Sequence, residues 1–527
     1  TPHLILATQF RRDLVIAVSV ANITFARTWN ELLTYSREQA YFFRELPSIR
    51  QSLAAAINVL VLWILFFGLI RLMRLISRKW GDGWGLTLVP FLVLPAFNSL
   101  SGIISAVAPK FARQSFLGSL HLPGKLGAMA ILVLIIYVVR HWPDRILKTA
   151  AWLTLNLALL IPLEAGAIIW HAISDERDLY TAHHLASPLP DKPDAQPVLF
   201  LLIDELDYRL LFENRPAGLN LPEFDRLRNE AFSAQRATPP GSATSISVPS
   251  LLTGKRITHS YTRGPDKLTG EPSNGGPLQT LQGEDTIFSS VRAMGVNTSV
   301  VGWYLPYCRT FGSVLSSCSW YDLGSRVNVE GNSFLRDLVA QAQAPFETAT
   351  FSPFPQSVLG KHRIFNAAGI ERDGTAALRT PSPGFVYIHH MATHAPYVYD
   401  RLTGTFTKKN SPISGYVDGL ALADIVLGKF RKAMEAGGSW NRAVVLVTAD
   451  HHFRASMQFD GKTDDRVPWI VKMPGSNKRI NYHFPIHTII TRRFLEAAVR
   501  GDIRTQPEAA EWIRTQEGRV YAESEWK

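Results

Sequence analysis

The sequence predicts an α/β domain with a mostly parallel central sheet, behind an N-terminal domain of about five transmembrane helices. Three observations carry that expectation. Residues 1 to about 172 are dominated by apolar runs, whereas the remainder of the 527 residues reads as globular. After residue 197, short apolar strands alternate with helical stretches, the pattern of a sheet with helices on both faces. Acids and imidazoles gather at the ends of three of those strands, where open α/β sheets place their sites. The implied divisions are a membrane domain at 1–172, a connector at 173–197, an α/β domain at 198–502 and a polar tail at 503–527.

In the first part, Leu53–Ile70 is 18 residues without a charge, and Gly85–Pro109 is 25 uncharged residues broken by Pro90 and Pro95. Leu126–Val139 is shorter, and a snorkelling Lys125 extends it. Thr149–Trp170 is interrupted only by Glu164, and Leu14–Leu33 by Arg27 and Glu31. Each approaches the length that crosses a bilayer. A cleavable signal peptide is the rival for Leu14–Leu33, although no small-residue cleavage site follows it clearly. With five spans, Arg11 and Arg12, the cluster Arg71, Arg74, Arg78 and Lys79, and Arg140, Arg145 and Lys148 share the cytoplasmic side. Lys110, Arg113 and Lys125 break that pattern. An odd number of spans puts everything after about Trp170 outside. Glu164 is either a functional group within the last span or an acid reaching headgroup water.

The net charge of +11 permits a polyanionic partner, but much of it lies between apolar runs. No zinc finger, Arg/Lys block or RNA-binding signature is present, which argues against nucleic acid. Cys308 and Cys318 are ten apart. In an exported domain such a pair points to a disulfide, and in the cytosol it would be unremarkable.

The second part begins with a polar, proline-bearing connector. Val198–Ile203 is a continuous apolar run, as expected of a buried parallel strand. Helical patterns follow at Pro222–Ala231 and Thr286–Gly295, with a strand at Val296–Trp303. Phe385–Ile388 and Ala443–Thr448 are strand-like and flank a helix near Val417–Ala436. Val467–Lys472 reads as a strand and Ile486–Arg500 as a helix.

Pro240–Lys255 passes from turn formers through hydroxyls to a short apolar stretch closed by Gly254, the grammar of a loop entering a helix. Thr244 falls near the first turn, where unpaired N–H groups and the helix dipole favour an anion on its oxygen. An ordinary N-cap is the alternative. The first strand ends in Asp204-Glu205, the Phe385 strand in His389-His390 with His394 beyond, and the Ala443 strand in Asp450-His451-His452. Hard oxygens with imidazole suit Zn²⁺, Mn²⁺ or Mg²⁺, and such an ion touching Thr244 would lower its hydroxyl pKa.

The order of acidic strand end, hydroxyl ahead of S-x-x-L-L-T-G-K, His-x-Pro and Asp-His resembles the alkaline-phosphatase and sulfatase superfamily. The closest likeness is to its membrane-anchored phosphoethanolamine and phosphoglycerol transferases, including lipoteichoic acid synthase, over about residues 197 to 500. Laid through Leu251–Lys255, the sulfatase motif C-x-P-x-R-x-x-L-L-T-G-R puts its modified cysteine on Thr244 and its proline and arginine on Ile246 and Val248. Threonine cannot become formylglycine, and the transferases' Thr-x-x-Ser is matched by Thr244 and Ser247. The resemblance implies an alkaline-phosphatase-like α/β sandwich in which Asp204, Thr244, Asp450 and His451 hold one divalent metal. Glu205 and His452 are further ligand candidates, and His394 and His390 are candidates for acid or base. Ser245, Ser247, Lys255, His389 and Arg309 are candidates for substrate binding. Trp303, Tyr304 and Tyr397 line either an acceptor cleft or the core.

The expected function is a headgroup transferase of the bacterial inner membrane with a periplasmic catalytic domain. It would move phosphoethanolamine or phosphoglycerol from a phospholipid donor, through phospho-Thr244, to a lipid or polysaccharide acceptor. A phosphodiesterase or atypical sulfatase of the same fold, and a non-catalytic scaffold, are the alternatives.

Overall fold

The computed structural model describes residues 2–33, 42–80, 91–92, 94–100, 152, 156–173, 184–190, 195–263, 267–324, 333–347, 357–380, 384–407 and 411–520. The chain forms two compact units, one of Thr1–Tyr35, Pro47–Glu176 and Ser325–Leu359, the other of Ser36–Leu46, Arg177–Gly324 and Gly360–Lys527.

The second unit is built on an eight-stranded sheet of Val198–Ile203 (β1), Phe232–Thr238 (β2), Thr298–Trp303 (β3), Ser317–Tyr321 (β4), Phe385–His390 (β5), Val444–Thr448 (β6), Trp469–Lys472 (β7) and Ile480–His487 (β8). Their order is β8-β2-β7-β6-β1-β5-β3-β4. β7 pairs antiparallel with both neighbours, and the other pairings are parallel. The alternation of strands and helices thus does produce an α/β fold with a mostly parallel sheet.

β1 sits in the middle and explains why its sequence is apolar throughout. Val198, Phe200 and Leu202 enter one core, while Leu199, Leu201 and Ile203 enter the other. All six are fully buried, each contributing on the order of 1.5–3 kcal/mol of transfer free energy. Register does the rest. Leu202 lies opposite Thr448 of β6 on one side and His389 of β5 on the other. All three strands run parallel, so Asp204 and Asp450, each two residues further on, emerge together at the carboxyl edge.

Sequence pattern missed β2, β4 and β8, and it extended a helix into Ile486 and His487, which complete β8 instead. That helix begins at Thr491. Val358–Leu378 is a 21-residue helix that the pattern did not reveal.

Cys308 and Cys318 form a disulfide that ties the Tyr307–Phe311 helix to β4. Tyr307 then reaches the site through its hydroxyl, 2.8 Å from His389 Nδ1.

In the first unit, Ile49–Lys79 is the one helix among the described residues long and apolar enough to cross a membrane. A five-helix membrane domain is therefore not supported. Leu14–Leu33 is divided between the helices Pro2–Thr24 and Ala26–Leu33. Of Thr149–Trp170, the described portion contains the shorter apolar helix Leu160–Ile173. Leu126–Val139 and most of Gly85–Pro109 lie outside the described residues. Asp13, fully buried, pairs with Arg74 (Nε to Oδ2, 2.9 Å). Glu164 accepts from Asn22 Nδ2 at 2.7 Å, and Asn22 Oδ1 accepts from Trp29 Nε1 at 2.9 Å. Glu164 thus has a helix-to-helix partner within its own unit.

Removing the cross-link as Cys308→Ala with Cys318→Ala is expected to lower stability by about 2–4 kcal/mol, read by denaturant unfolding. An unchanged midpoint would mean that packing alone holds the Tyr307 helix to β4.

Candidate metal centre

Each residue of the centre is delivered by the end of an element. Beyond β1, Glu205 adopts a left-handed conformation (φ 61°) that turns the chain sharply after Asp204. Its N–H donates to Asp450 Oδ1 at 3.2 Å, and its carbonyl accepts from Tyr416 Oη at 2.9 Å. The Thr393 hydroxyl closes the turn by donating to the Asp204 carbonyl. Tyr304, just past β3, is also left-handed (φ 73°). For residues with a Cβ such conformations cost about 1–3 kcal/mol and gather at functional sites.

Thr244 opens the Thr244–Thr253 helix, but it does not cap it. The cap position is Ala243, extended and without a side-chain oxygen to offer. The Ile246 and Ser247 N–H groups donate to Ala243 O, leaving those of Thr244 and Ser245 directed out of the helix end. The Thr244 hydroxyl is thereby free to face Asp204, donating to Oδ2 at 3.4 Å. At the other end Gly254 takes φ 65° to close the helix, as glycine most readily does.

Asp204, Asp450 and His451 are fully buried, with one ligand atom from each within 4.8 Å of the others. His451 Nε2 lies 3.6 Å from Asp204 Oδ1 and 3.4 Å from Asp450 Oδ2. Its Nδ1 is 3.0 Å from His452 O; a proton donated there leaves the Nε2 lone pair for a metal. Asp204 Oδ1 and Asp450 Oδ2 are buried without hydrogen-bond partners. Two orphaned carboxylate oxygens facing one imidazole nitrogen fit a divalent cation, and the hard donor set suits Zn²⁺, Mn²⁺ or Mg²⁺.

The electrostatics agree. Burial, then the neighbouring charge of Asp450, pushes the Asp204 pKa well above the carboxylate range. Burial also works on Asp450, but His451, His389 and the Thr244 hydroxyl outweigh it and hold that group low. Adjacent buried carboxylates of this kind titrate as a pair, so a proton shared between them competes with a cation.

The remaining predicted residues fall in several places. His389 Nε2, also unpartnered, is 3.9 Å from Asp204 Oδ2, and burial lowers its pKa to about 4. His390, one residue on, is turned away and accepts from Ala392 N at 3.0 Å. His394 stands edge-on to Trp303, 5.0 Å between ring centres, with Nδ1 bonded to Ala395 O. Burial and then the Arg363 charge lower its pKa. Glu205 is outside the three-residue cluster and is held by Arg454 Nε at 3.0 Å. His452 is 3.7 Å from Asp465. Ser247 Oγ donates to Gly241 O at 2.9 Å, closing the loop, and Ser245 is half-buried beside Thr244. Lys255 pairs with Asp285 at the surface. Arg309 donates to Phe42 O (2.9 Å) and Arg44 O (3.1 Å) and lies over the Trp320 ring, so both cations are engaged structurally. Sequence reasoning did not single out Arg363, which is buried beside Trp303.

Residues 372–498 match the family model described as Sulfatase. The match takes in His394, Asp450 and His451; the fold brings Asp204 and Thr244 to Asp450 and His451. The resemblance to the alkaline-phosphatase and sulfatase superfamily holds on that domain. No curated protein matches the chain. Similar solved structures include Ps i-CgsB in complex with k-i-k-neocarrahexaose (14% identity, 60% of this chain and 74% of that one, TM-score 0.43). Phosphonate monoester hydrolase of Agrobacterium radiobacter is similar at 14% identity over 58% of this chain and 74% of that one, TM-score 0.39. The lipoteichoic acid synthase LtaP from Listeria monocytogenes is similar at 13% identity over 57% and 71%, TM-score 0.37.

Metal binding should strengthen as pH rises. The folded pKa of Asp204 is raised, so its contribution to metal-free stability is complete below the unfolded value of about 4 and is lost as pH climbs toward the folded one. A dication displaces that proton. The Tm gain from added Mn²⁺ is expected to be larger at about pH 8 than at about pH 5 and to vanish in Asp450→Asn, both read by thermal melts with and without chelator. An equal gain at both pH values would contradict the shared proton.

Proposed function

We propose that this chain is a metal-dependent transferase of the bacterial inner membrane that moves a phospho-headgroup, phosphoethanolamine or phosphoglycerol, from a membrane phospholipid to a lipid or polysaccharide acceptor outside. One observation carries the reading. A threonine hydroxyl stands at a helix start, spared from capping, 3.4 Å from Asp204 Oδ2 of a buried Asp204–Asp450–His451 cluster. The Sulfatase match over residues 372–498 supports ester chemistry. Threonine at the nucleophile position favours phosphoryl transfer over the formylglycine route. The disulfide supports an oxidising compartment, and the apolar Ile49–Lys79 helix supports an anchor.

A bound dication would lower the pKa of the Thr244 hydroxyl and screen the phosphate charge. Thr244 Oγ loses its proton and bonds to phosphorus as the bond from phosphorus to the diacylglycerol oxygen breaks. That oxygen takes up the proton given up by Thr244, and diacylglycerol departs. The outward N–H groups of Thr244 and Ser245 and the helix dipole stabilise the negative charge left at the helix end. In the second half-reaction an acceptor hydroxyl gives its proton to His394 and attacks phosphorus, and Thr244 Oγ leaves and receives that proton from His394. Nδ1–H donation to Ala395 O leaves His394 Nε2 as the proton acceptor.

Thr244→Ala is expected to lower turnover by about three orders of magnitude or more, and brief exposure to donor should leave a headgroup phosphate on Thr244, visible by mass spectrometry. Full turnover in the alanine variant would sink the mechanism. Labelled donor that yields only free headgroup, with acceptor present, would assign the site to a hydrolase.

A further inference from the structure

Arg363 lies on the Val358–Leu378 helix with its guanidinium 4.4 Å above the ring of Trp303. The residue is 8% exposed. Among the described residues its one hydrogen-bond contact is Nη1 to Met391 Sδ at 4.0 Å, and no described carboxylate lies within ion-pair distance. Of the two acids whose charges act on it, Asp322 is committed to His362 Nε2 at 2.7 Å and the Glu45 N–H at 2.9 Å. Asp204 belongs to the metal cluster. Trp303 links this cation to the centre, its ring meeting His394 at 5.0 Å and His389 at 6.0 Å. A buried guanidinium without a counter-ion is costly to the fold, and its planar fork matches the oxygens of a tetrahedral anion.

Charge balance narrows the ligand. Glu205 is neutralised by Arg454. A dication between Asp204 and Asp450 cancels their two charges. Arg363 then leaves the site with one positive charge, the complement of one negative charge. Val248, at the place where the sulfatase motif carries arginine, contributes none.

We infer that Arg363 binds the non-bridging oxygens of a singly charged tetrahedral ester poised at Thr244, and that it selects such monoanions over the dianion of a phosphate monoester. The inference rests on the reading of Thr244 as nucleophile and adds to it the residue that holds the substrate.

The test uses the full chain in detergent with Mn²⁺ and three probes: bis(4-nitrophenyl) phosphate, 4-nitrophenyl sulfate and 4-nitrophenyl phosphate. The wild type should favour a monoanionic probe over the monoester dianion, and the better of the phosphate diester and the sulfate identifies the ester class. Arg363→Met should lower kcat/KM for that probe by about 10- to 100-fold, the worth of hydrogen bonds to a charged group. Its Mn²⁺ affinity, by titration, should be unchanged and its Tm equal or higher, because an apolar side chain relieves the buried charge. Arg363→Lys should recover part of the loss. Wild-type kinetics in Arg363→Met would overturn the assignment while leaving Thr244 untouched. Loss of Mn²⁺ affinity or a lowered Tm in both variants would also overturn it, by making Arg363 a structural residue. A wild type inert to all three probes, or a Thr244→Ala variant that turns them over, would overturn the nucleophile reading and this inference with it.

Discussion

Two carboxylates buried side by side are the constraint to which the rest of the α/β domain answers. Taking even one such charge out of water costs several kcal/mol, and two within a few ångströms repel as well. The domain concentrates its compensations there: the Glu205 and His451 N–H groups on Asp450, the Thr244 hydroxyl on Asp204, and an imidazole on either side. They are insufficient, since one oxygen of each acid still has no partner. The backbone contributes further strain at Glu205 and Tyr304. A domain whose net stability is typically about 5–15 kcal/mol tolerates such a deficit only when something restores the balance, and a cation does so directly.

The imidazoles show how the site divides its labour. His389, His390 and His394 sit close together in the chain, and burial drives all three toward the neutral form. Neutral rings supply lone pairs or N–H groups and add no charge. Strand alternation then separates them: His389 faces Asp204, whereas His390 turns into its own loop. His394, past the strand, stands against Trp303. A cation held there would carry positive charge together with the guanidinium groups, which burial disfavours less readily than ammonium.

Much of this was legible in the chain because the central strands are buried on both faces. Val198–Ile203 and Ala443–Thr448 read as strands from uninterrupted apolar runs, and the residues that stop those runs are the ones at the centre. The peripheral strands had no such signal. β2, F-S-A-Q-R-A-T, shows neither an apolar run nor clean alternation, and its conformation is set by pairing with β7 and β8. β8 contains Pro485 and a register irregularity. The helix bearing Arg363 contains three glycines, each costing about 1 kcal/mol relative to alanine, so local preference argued against it. Gly369 is explained only by packing: a Cβ there would meet the Tyr321 ring at 2.3 Å. Arg363 was invisible for the same reason, since a lone arginine reads as surface until the tertiary fold buries it.

The helical unit reverses the usual arrangement of polar and apolar groups. Its buried Asp13, Asn22 and Asp337 are paired with the part-exposed Arg74, Glu164 and Arg50, the last at 2.7 Å. Many of its outward residues are apolar: Leu60, Val61, Ile64 and Leu65 on the long helix are 49–62% exposed, and Leu163 and Trp170 are 68% and 69% exposed. In water that distribution forfeits the transfer free energy of each side chain, whereas in hydrocarbon it is the favourable one, because unsatisfied polar groups are what lipid penalises. The cross-helix pairs of Asp13 and Glu164 register neighbouring helices of this unit against one another, among them Ile49–Lys79, the one described helix long and apolar enough to cross a membrane.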